Sequence, residues 1–242
     1  MDSTLVAQKS TSVVLSISDP LWFQTIGVSV FVMAIILAVG VFLPNQEYKI
    51  IFCRFIGVLL FSRFIFLHGY EVGNNHWEID YNLPLHLCGI SSILSWLVMI
   101  KYNQKMFNFL ALLGIPTAIH SFLTPEWAHG WDGYLFPDFY FAHGGILFAP
   151  IFLMVVFGHK VSENSWKTVF FQSLVIAFFV GLMNIILKSN YLYLCVAPIA
   201  ENPLIITREW PFYIPIIIFI GLLHILAFYY FFNLIKKVKK HD

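Results

Sequence analysis

The stretch DPLWFQTIGVSVFVMAIILAVGVFL, residues 19–43, carries no charged side chain after its first residue. A bilayer core about 30 Å thick takes about 20 mostly apolar residues as a helix, and this run has that length and character. Asp19 supplies a capping acid, and Pro20 falls at the first helical position, where its missing N–H costs nothing. The stretch therefore reads as a membrane helix with a defined start.

The rest of the chain repeats the pattern. Of 242 residues, 59% are hydrophobic, 18% aromatic and only 11% charged, with a mean hydropathy of +0.79. A soluble domain carries about 25% charged residues to coat its exterior, so most of this exterior must face lipid. Candidate spans fall near 20–43, 48–68, 83–100, 105–123, 139–158, 166–188 and 211–235. The expected fold is all-α: a polytopic membrane protein with seven transmembrane helices in one bundle. Residues 1–19 form a polar N-terminal tail without the basic region of a signal peptide, residues 20–235 the helical domain, and residues 236–242 a basic cytoplasmic tail. The net charge of +1 gives no footing for nucleic acid, and three cysteines make no disulfide framework.

Lysine and arginine near the helix ends set the expected orientation. With the C-terminus inside, Lys49, Arg54, Lys101, Lys105, Lys160, Lys167, Lys236, Lys237, Lys239 and Lys240 are all inner, whereas Lys9, Lys188 and Arg208 are outer. Glu71, Glu78, Asp80, Glu126, Asp132 and Asp138 follow the reverse pattern. The expectation is N-terminus out and C-terminus in. Three longer outer loops, 69–82, 124–138 and 189–210, carry Trp77, Trp127, Trp131 and Trp210, as an interfacial cover or an aromatic belt would.

Polar groups inside spans are expensive and ask for a reason. Under this topology Arg63, His68, His86, Cys88, His120, His143, Asn184 and Lys188 all fall in the outer leaflet, which predicts one polar pocket open on that side. Cys88, Ser91, Ser92 and Ser95 form a small polar stripe, and Gly144 and Gly145 allow a neighbouring helix close to His143. His86 lies about 200° from Cys88 on a regular helix, unless Pro84 leaves the first turn irregular. The thiol has three readings: a nucleophile activated by a histidine, a buried structural cysteine, or half of a disulfide with Cys195. His68, His86, Cys88, His120 and His143 also include ligand types that zinc favours, though without a recognised zinc spacing or a carboxylate in the spans. A metal-dependent hydrolase, and a transporter or receptor with a polar outer pocket, are the alternatives to thiol chemistry. Arg63 could meet a helix-end carbonyl, Glu71 or a lipid phosphate.

The motifs LPLHLCGIS (83–91), LTP (123–125), FAHGG (141–145), NYLYL (190–194) and WPFYI (210–214) occur in one order. In that order they resemble the YwaF-like family of bacterial integral membrane proteins. That family looks related to a vertebrate transmembrane acyltransferase group that moves fatty acyl chains between phospholipids through a cysteine and a histidine. More distant relatives hydrolyse lipid esters with a threonine in place of the cysteine. The resemblance places the nucleophile at Cys88 and the histidine before the helix-5 glycines at His143. It implies a membrane-embedded acyltransferase or lipid-ester hydrolase in a bacterial plasma membrane, with phospholipid as substrate partner and no metal or organic cofactor. Asn184 and His120 are then the candidates for steadying an oxyanion. Arg63 and Lys188 would anchor a headgroup, with His68, His86 and Asn190 as further substrate-binding candidates.

Overall fold

The first helix, α1 (Pro20–Phe42), begins where expected: the Asp19 carboxylate accepts a hydrogen bond from the Leu21 N–H at 2.8 Å, satisfying one of the orphan donors of the first turn. The structure is a computed structural model that describes residues 13–127, 133–197 and 206–238. The remaining helices are α2 (Gln46–Gly73), α3 (Leu87–Ile100), α4 (Gln104–Leu123), α5 (Leu135–Val156), α6 (Ser165–Leu187) and α7 (Tyr213–Val238). Asn45 and Asn103 cap α2 and α4 as Asp19 caps α1. Beside the helices, Val13–Val14 pairs antiparallel with Glu126–Trp127, tying the segment before α1 to the loop after α4. Trp131, Asp132, Lys9 and the lysines at 239 and 240 lie outside the described residues.

Among the described residues six helices are long and apolar enough to cross a membrane, which makes the chain a polytopic helical membrane protein. The seventh, α3, departs from expectation. Its 14 residues begin at Leu87, so the span expected from 83 starts late and reaches only about 21 Å. Pro84 explains this: it offers no N–H and disfavours helical backbone in the residue before it. Two other edges also move. The second helix continues to Gly73 and α5 starts at Leu135, which brings Glu71 and Asp138 inside helices, where both are buried. The expectation that no carboxylate sits within the helices is therefore corrected. Hydropathy marks where lipid ends, and a helix can run past that point into the headgroup layer.

Burial ranks the helices. The apolar windows of α4 and α5 are 67% and 56% buried, against 6% for α1 and α7. Thus α4 and α5 form the centre, where Phe107, Leu110, Leu112, Ile146, Ala149 and Phe152 lose nearly all contact with the exterior. The outer helices expose large apolar side chains such as Phe31, Phe178, Phe179, Ile186 and Phe219, the arrangement a hydrocarbon solvent rewards. The α2 helix packs on α3, α3 and α1 pack on α5, and α7 packs against the middle of α4. Gly145 fits its expected role, since a Cβ there would stand 2.5 Å from Leu60 Cδ2. Gly144 does not share it, with Met33 Sδ as its nearest neighbour at 3.9 Å.

Within α4, residues Leu110–Gly114 form a π-turn. Pro116 sits just beyond it and cannot donate to the carbonyl of Leu112, so the local ladder must widen. The widened turn re-aims the C-terminal part of α4, the part that carries His120 and Ser121.

Candidate thiol site

The end of the bundle that holds the start of α3 is built on a staple from α6. The Asn184 amide donates to the Tyr191 carbonyl at 2.9 Å, and its oxygen accepts from the Tyr191 N–H at 2.9 Å and the Ser189 hydroxyl at 2.8 Å. Tyr191, fully buried, donates its own hydroxyl to Ile79 O at 2.8 Å and accepts from Leu83 N at 2.9 Å. Burial pushes that hydroxyl up to about 12, so it keeps the proton it donates. Two loops are thereby joined by one side chain, just ahead of α3.

His86 precedes the first residue of α3, and its Nδ1 accepts from the Leu192 N–H at 3.3 Å, which leaves the ring proton on Nε2. Its ring lies against Tyr191 and Tyr193, each at 5.2 Å between centroids. Asn190 closes the same loop, accepting from the Cys195 and Val196 N–H groups and donating to Val196 O. Lys188 is an exposed residue in left-handed conformation at the end of α6. The expected ligand-binding candidates His86, Asn184 and Asn190 thus hold the cover over α3.

Cys88 is the second residue of α3. Its Sγ lies 3.5 Å from Ser121 Oγ on α4. Ser121 gives its own proton to Thr117 O at 3.1 Å, so the thiol is the donor in that contact. Cys53, Cys88 and Cys195 are all free, which removes the disulfide reading. One turn on, the Ser91 hydroxyl is buried with no hydrogen-bond partner among the described residues.

His143 donates from Nδ1 to Phe139 O at 2.8 Å, a carbonyl being able only to accept. Its Nε2 is therefore the bare, basic nitrogen of a neutral ring. The ring sits beside Phe139 and Phe122, with centroids at 4.2 and 6.5 Å. Consecutive residues of α4 thus touch the two expected catalytic groups: Ser121 meets the thiol and Phe122 the imidazole. No hydrogen bond joins the thiol to the imidazole among the described residues.

The other polar groups are also partnered. Arg63 forks onto Asp138, with Nε donating to Oδ1 at 2.6 Å and a second bond from Nη2 to Oδ2. Tyr134 adds its hydroxyl to Oδ1 at 3.0 Å. The expected Arg63 contact with Glu71 or a helix-end carbonyl is replaced by this fork. His68 accepts from Trp77 Nε1 at 3.1 Å. His120 meets His224 through their Nε2 atoms at 2.9 Å, and His224 Nδ1 donates to Ile220 O, so the shared proton belongs to His120. Sequence reasoning missed His224 and Ser121, although an imidazole in the middle of the last apolar span was a readable signal. The polar groups expected to share one depth are thus engaged with partners, and Arg63 and Asp138 lie near enough to His143 to act on it electrostatically. Among the described residues no three histidine, cysteine or acidic side chains group as an ion site.

Fold and site together define a polytopic helical membrane protein with a thiol at the covered start of a short internal helix. Within that class, the chain belongs to the TMEM164 family, whose sequence profile matches residues 14–229. No curated protein and no solved structure matches it.

Proposed function

We propose that this protein is a thiol-dependent lipid acyltransferase or lipid-ester hydrolase of the outer leaflet, with Cys88 as nucleophile and His143 as general base. The observation that carries the reading is the position of Cys88 in the first turn of α3. A 14-residue helix cannot reach across a bilayer core, so its N-terminus lies below the headgroups under the two stapled loops. The first-turn N–H groups have no intrahelical partner, and the helix dipole there favours negative charge, first on sulfur and then on a carbonyl oxygen. The narrower YwaF-like grouping and its acyl-transfer chemistry rest on the motifs that contain these residues.

In the resting state the thiol donates to Ser121, and reaction requires its proton to pass to His143 Nε2. The thiolate then attacks an ester carbonyl carbon, and the C–O bond breaks. The imidazolium returns its proton to the leaving alcohol or lysolipid, which leaves an acyl-thioester on Cys88. An acceptor hydroxyl, or water, gives its proton to His143 and takes the acyl group, which restores the thiol. The first-turn N–H groups of α3 take over the oxyanion role considered for Asn184 and His120, whose polar atoms are engaged elsewhere.

The test uses the purified chain in vesicles with phosphatidylcholine radiolabelled in one acyl chain. The native protein should transfer or release label and accumulate a hydroxylamine-sensitive protein adduct. Cys88→Ala should lower turnover by about a thousandfold or more and abolish the adduct, and His143→Ala by roughly a hundredfold or more. Unchanged turnover in either variant removes that residue from the chemistry.

A further inference from the structure

Away from the thiol, a groove of about 470 Å³ runs between α1, α2 and α5. Its α1 wall extends from Leu21 to Ile36, about 22 Å of helix, more than the roughly 15 Å that one leaflet contributes to the hydrocarbon core. The wall changes character along its length. Gln24, Thr25 and Ser29 line the half near the start of α1, together with Tyr140, and Val32, Met33, Ile36, Ile56 and Phe148 line the rest. The hydroxyls of Thr25 and Ser29 fold back onto α1 carbonyls, so their methyl and methylene groups dominate the deep surface. Leu59 and Leu60 on α2 complete the wall. One turn above them on the same helical face stands Arg63, paired with Asp138.

We infer that this groove is a binding slot for one acyl chain of an outer-leaflet glycerophospholipid, separate from the thiol site. Three observations select that occupant. The lips of the groove belong to helices whose outward faces are exposed apolar side chains, among them Phe23, Val28, Val32, Ile35 and Phe141, so the medium at its opening is hydrocarbon. The slot is lined almost wholly by apolar surface along its length, as a methylene chain requires. Its width also has a cause in the sequence, because Ser29 and Gly144 stand where larger residues would close it. At Gly144 a side chain has room, the nearest atom to a new Cβ being Met33 Sδ at 3.9 Å. The slot does not depend on the acyl-transfer reading: a chain held here is retained whether or not Cys88 reacts.

The experiment reconstitutes the full chain in vesicles containing a phosphatidylcholine with a diazirine midway along one acyl chain. After illumination the adducts are mapped by peptide mass spectrometry. Adducts should concentrate on Val32, Met33, Ile36 and Ile56 over the exposed faces at Phe178, Phe179 and Ile186, because a chain held in the slot stays beside those residues whereas chains at open faces exchange. Ser29→Leu with Gly144→Leu should abolish the groove adducts, leave those on α6 unchanged and leave the melting temperature within a few degrees. Cys88→Ala should leave the groove adducts intact, so loss of turnover and loss of slot binding separate. Labelling spread evenly over all lipid-facing surfaces, or groove adducts that survive the double substitution in a folded protein, would overturn the assignment.

Discussion

Arg63 shows what a single residue reveals in sequence and what it hides. An arginine well inside an apolar run signals a demand for a partner. The partner could not be read, because Asp138 stands 75 positions away and hydropathy places it outside the fifth span. The pair is buried, with side chains only 12% and 5% exposed, so neither charge can be left alone. Arg63→Met or Asp138→Leu singly should destabilise the protein by roughly 3–5 kcal/mol, whereas the double variant should return to within about 1 kcal/mol of the parent. Thermal unfolding in one detergent, read as a double-mutant cycle, checks both halves; additive losses would show that the two charges do not depend on each other. The thiol and imidazole were legible as residue types and as motif positions. Their partners were not: Ser121 and Phe122 reach them from α4, and nothing in local spacing announces a contact between helices. His120 likewise declared itself as an intramembrane imidazole, but its bond to His224 spans 104 positions.

At the scale of elements, the spans were legible because apolar length is a local property, and their ends were not because helix and hydrocarbon need not stop together. The start of α3 is the case with consequences for function. A Cβ on Gly89 would stand 2.8 Å from Pro84 Cα and 2.9 Å from its carbonyl carbon, and neither backbone atom can swing aside. Gly89→Ala should therefore push the Leu83–His86 segment outward, cost about 1–3 kcal/mol and disturb the thiol next to it. The check is alkylation of Cys88 by a lipid-soluble maleimide alongside the melting temperature, and an unchanged rate would mean that Pro84 does not set the geometry of the thiol. The opposite end of the bundle offers a contrast in titration. His159 stacks on Tyr102 at 3.7 Å between centroids, and burial lowers its proton affinity below the ordinary value of 6.5. The unfolded chain then takes up this proton first, so the contribution of the stack is present above 6.5 and is lost as pH falls below it. His159→Phe, which keeps a stacked ring without a titrating nitrogen, should show a flatter decline of melting temperature between about pH 7 and 5 than the parent. Parallel curves would show that the stack does not titrate.

The whole molecule turns on whether α3 counts as a crossing. With seven crossings the termini lie on opposite sides, and the basic loops at Lys49, Lys101, Lys160 and Lys167 all fall inside, as the positive-inside rule asks. With six, the loop at 74–86 and the loop at 101–103 would share a side, and every loop after α3 would exchange sides. Lys160 and Lys167 would then be external, and the stapled loops at Ile79, Leu83 and Tyr191 would have to meet across the membrane. They are joined by the Tyr191 hydroxyl, a contact that the six-crossing arrangement would have to break, and that arrangement also runs against the charge rule. The Leu83–His86 segment ahead of α3 is a turn, with the Leu85 N–H donating to Leu83 O at 2.7 Å, and the loop that His86 and Tyr191 hold in place lies against it. The test introduces one cysteine at a time into a chain lacking the native three, at Asn75, Lys101, Glu163 and Glu209, all exposed. In intact cells a membrane-impermeant maleimide should label Asn75→Cys and Glu209→Cys at once, and Lys101→Cys and Glu163→Cys only after the membrane is opened. Labelling of Asn75→Cys and Lys101→Cys from the same side would make α3 a re-entrant segment. Reversal of all four would instead place the thiol in the inner leaflet, where an outer-leaflet lipid could not reach it.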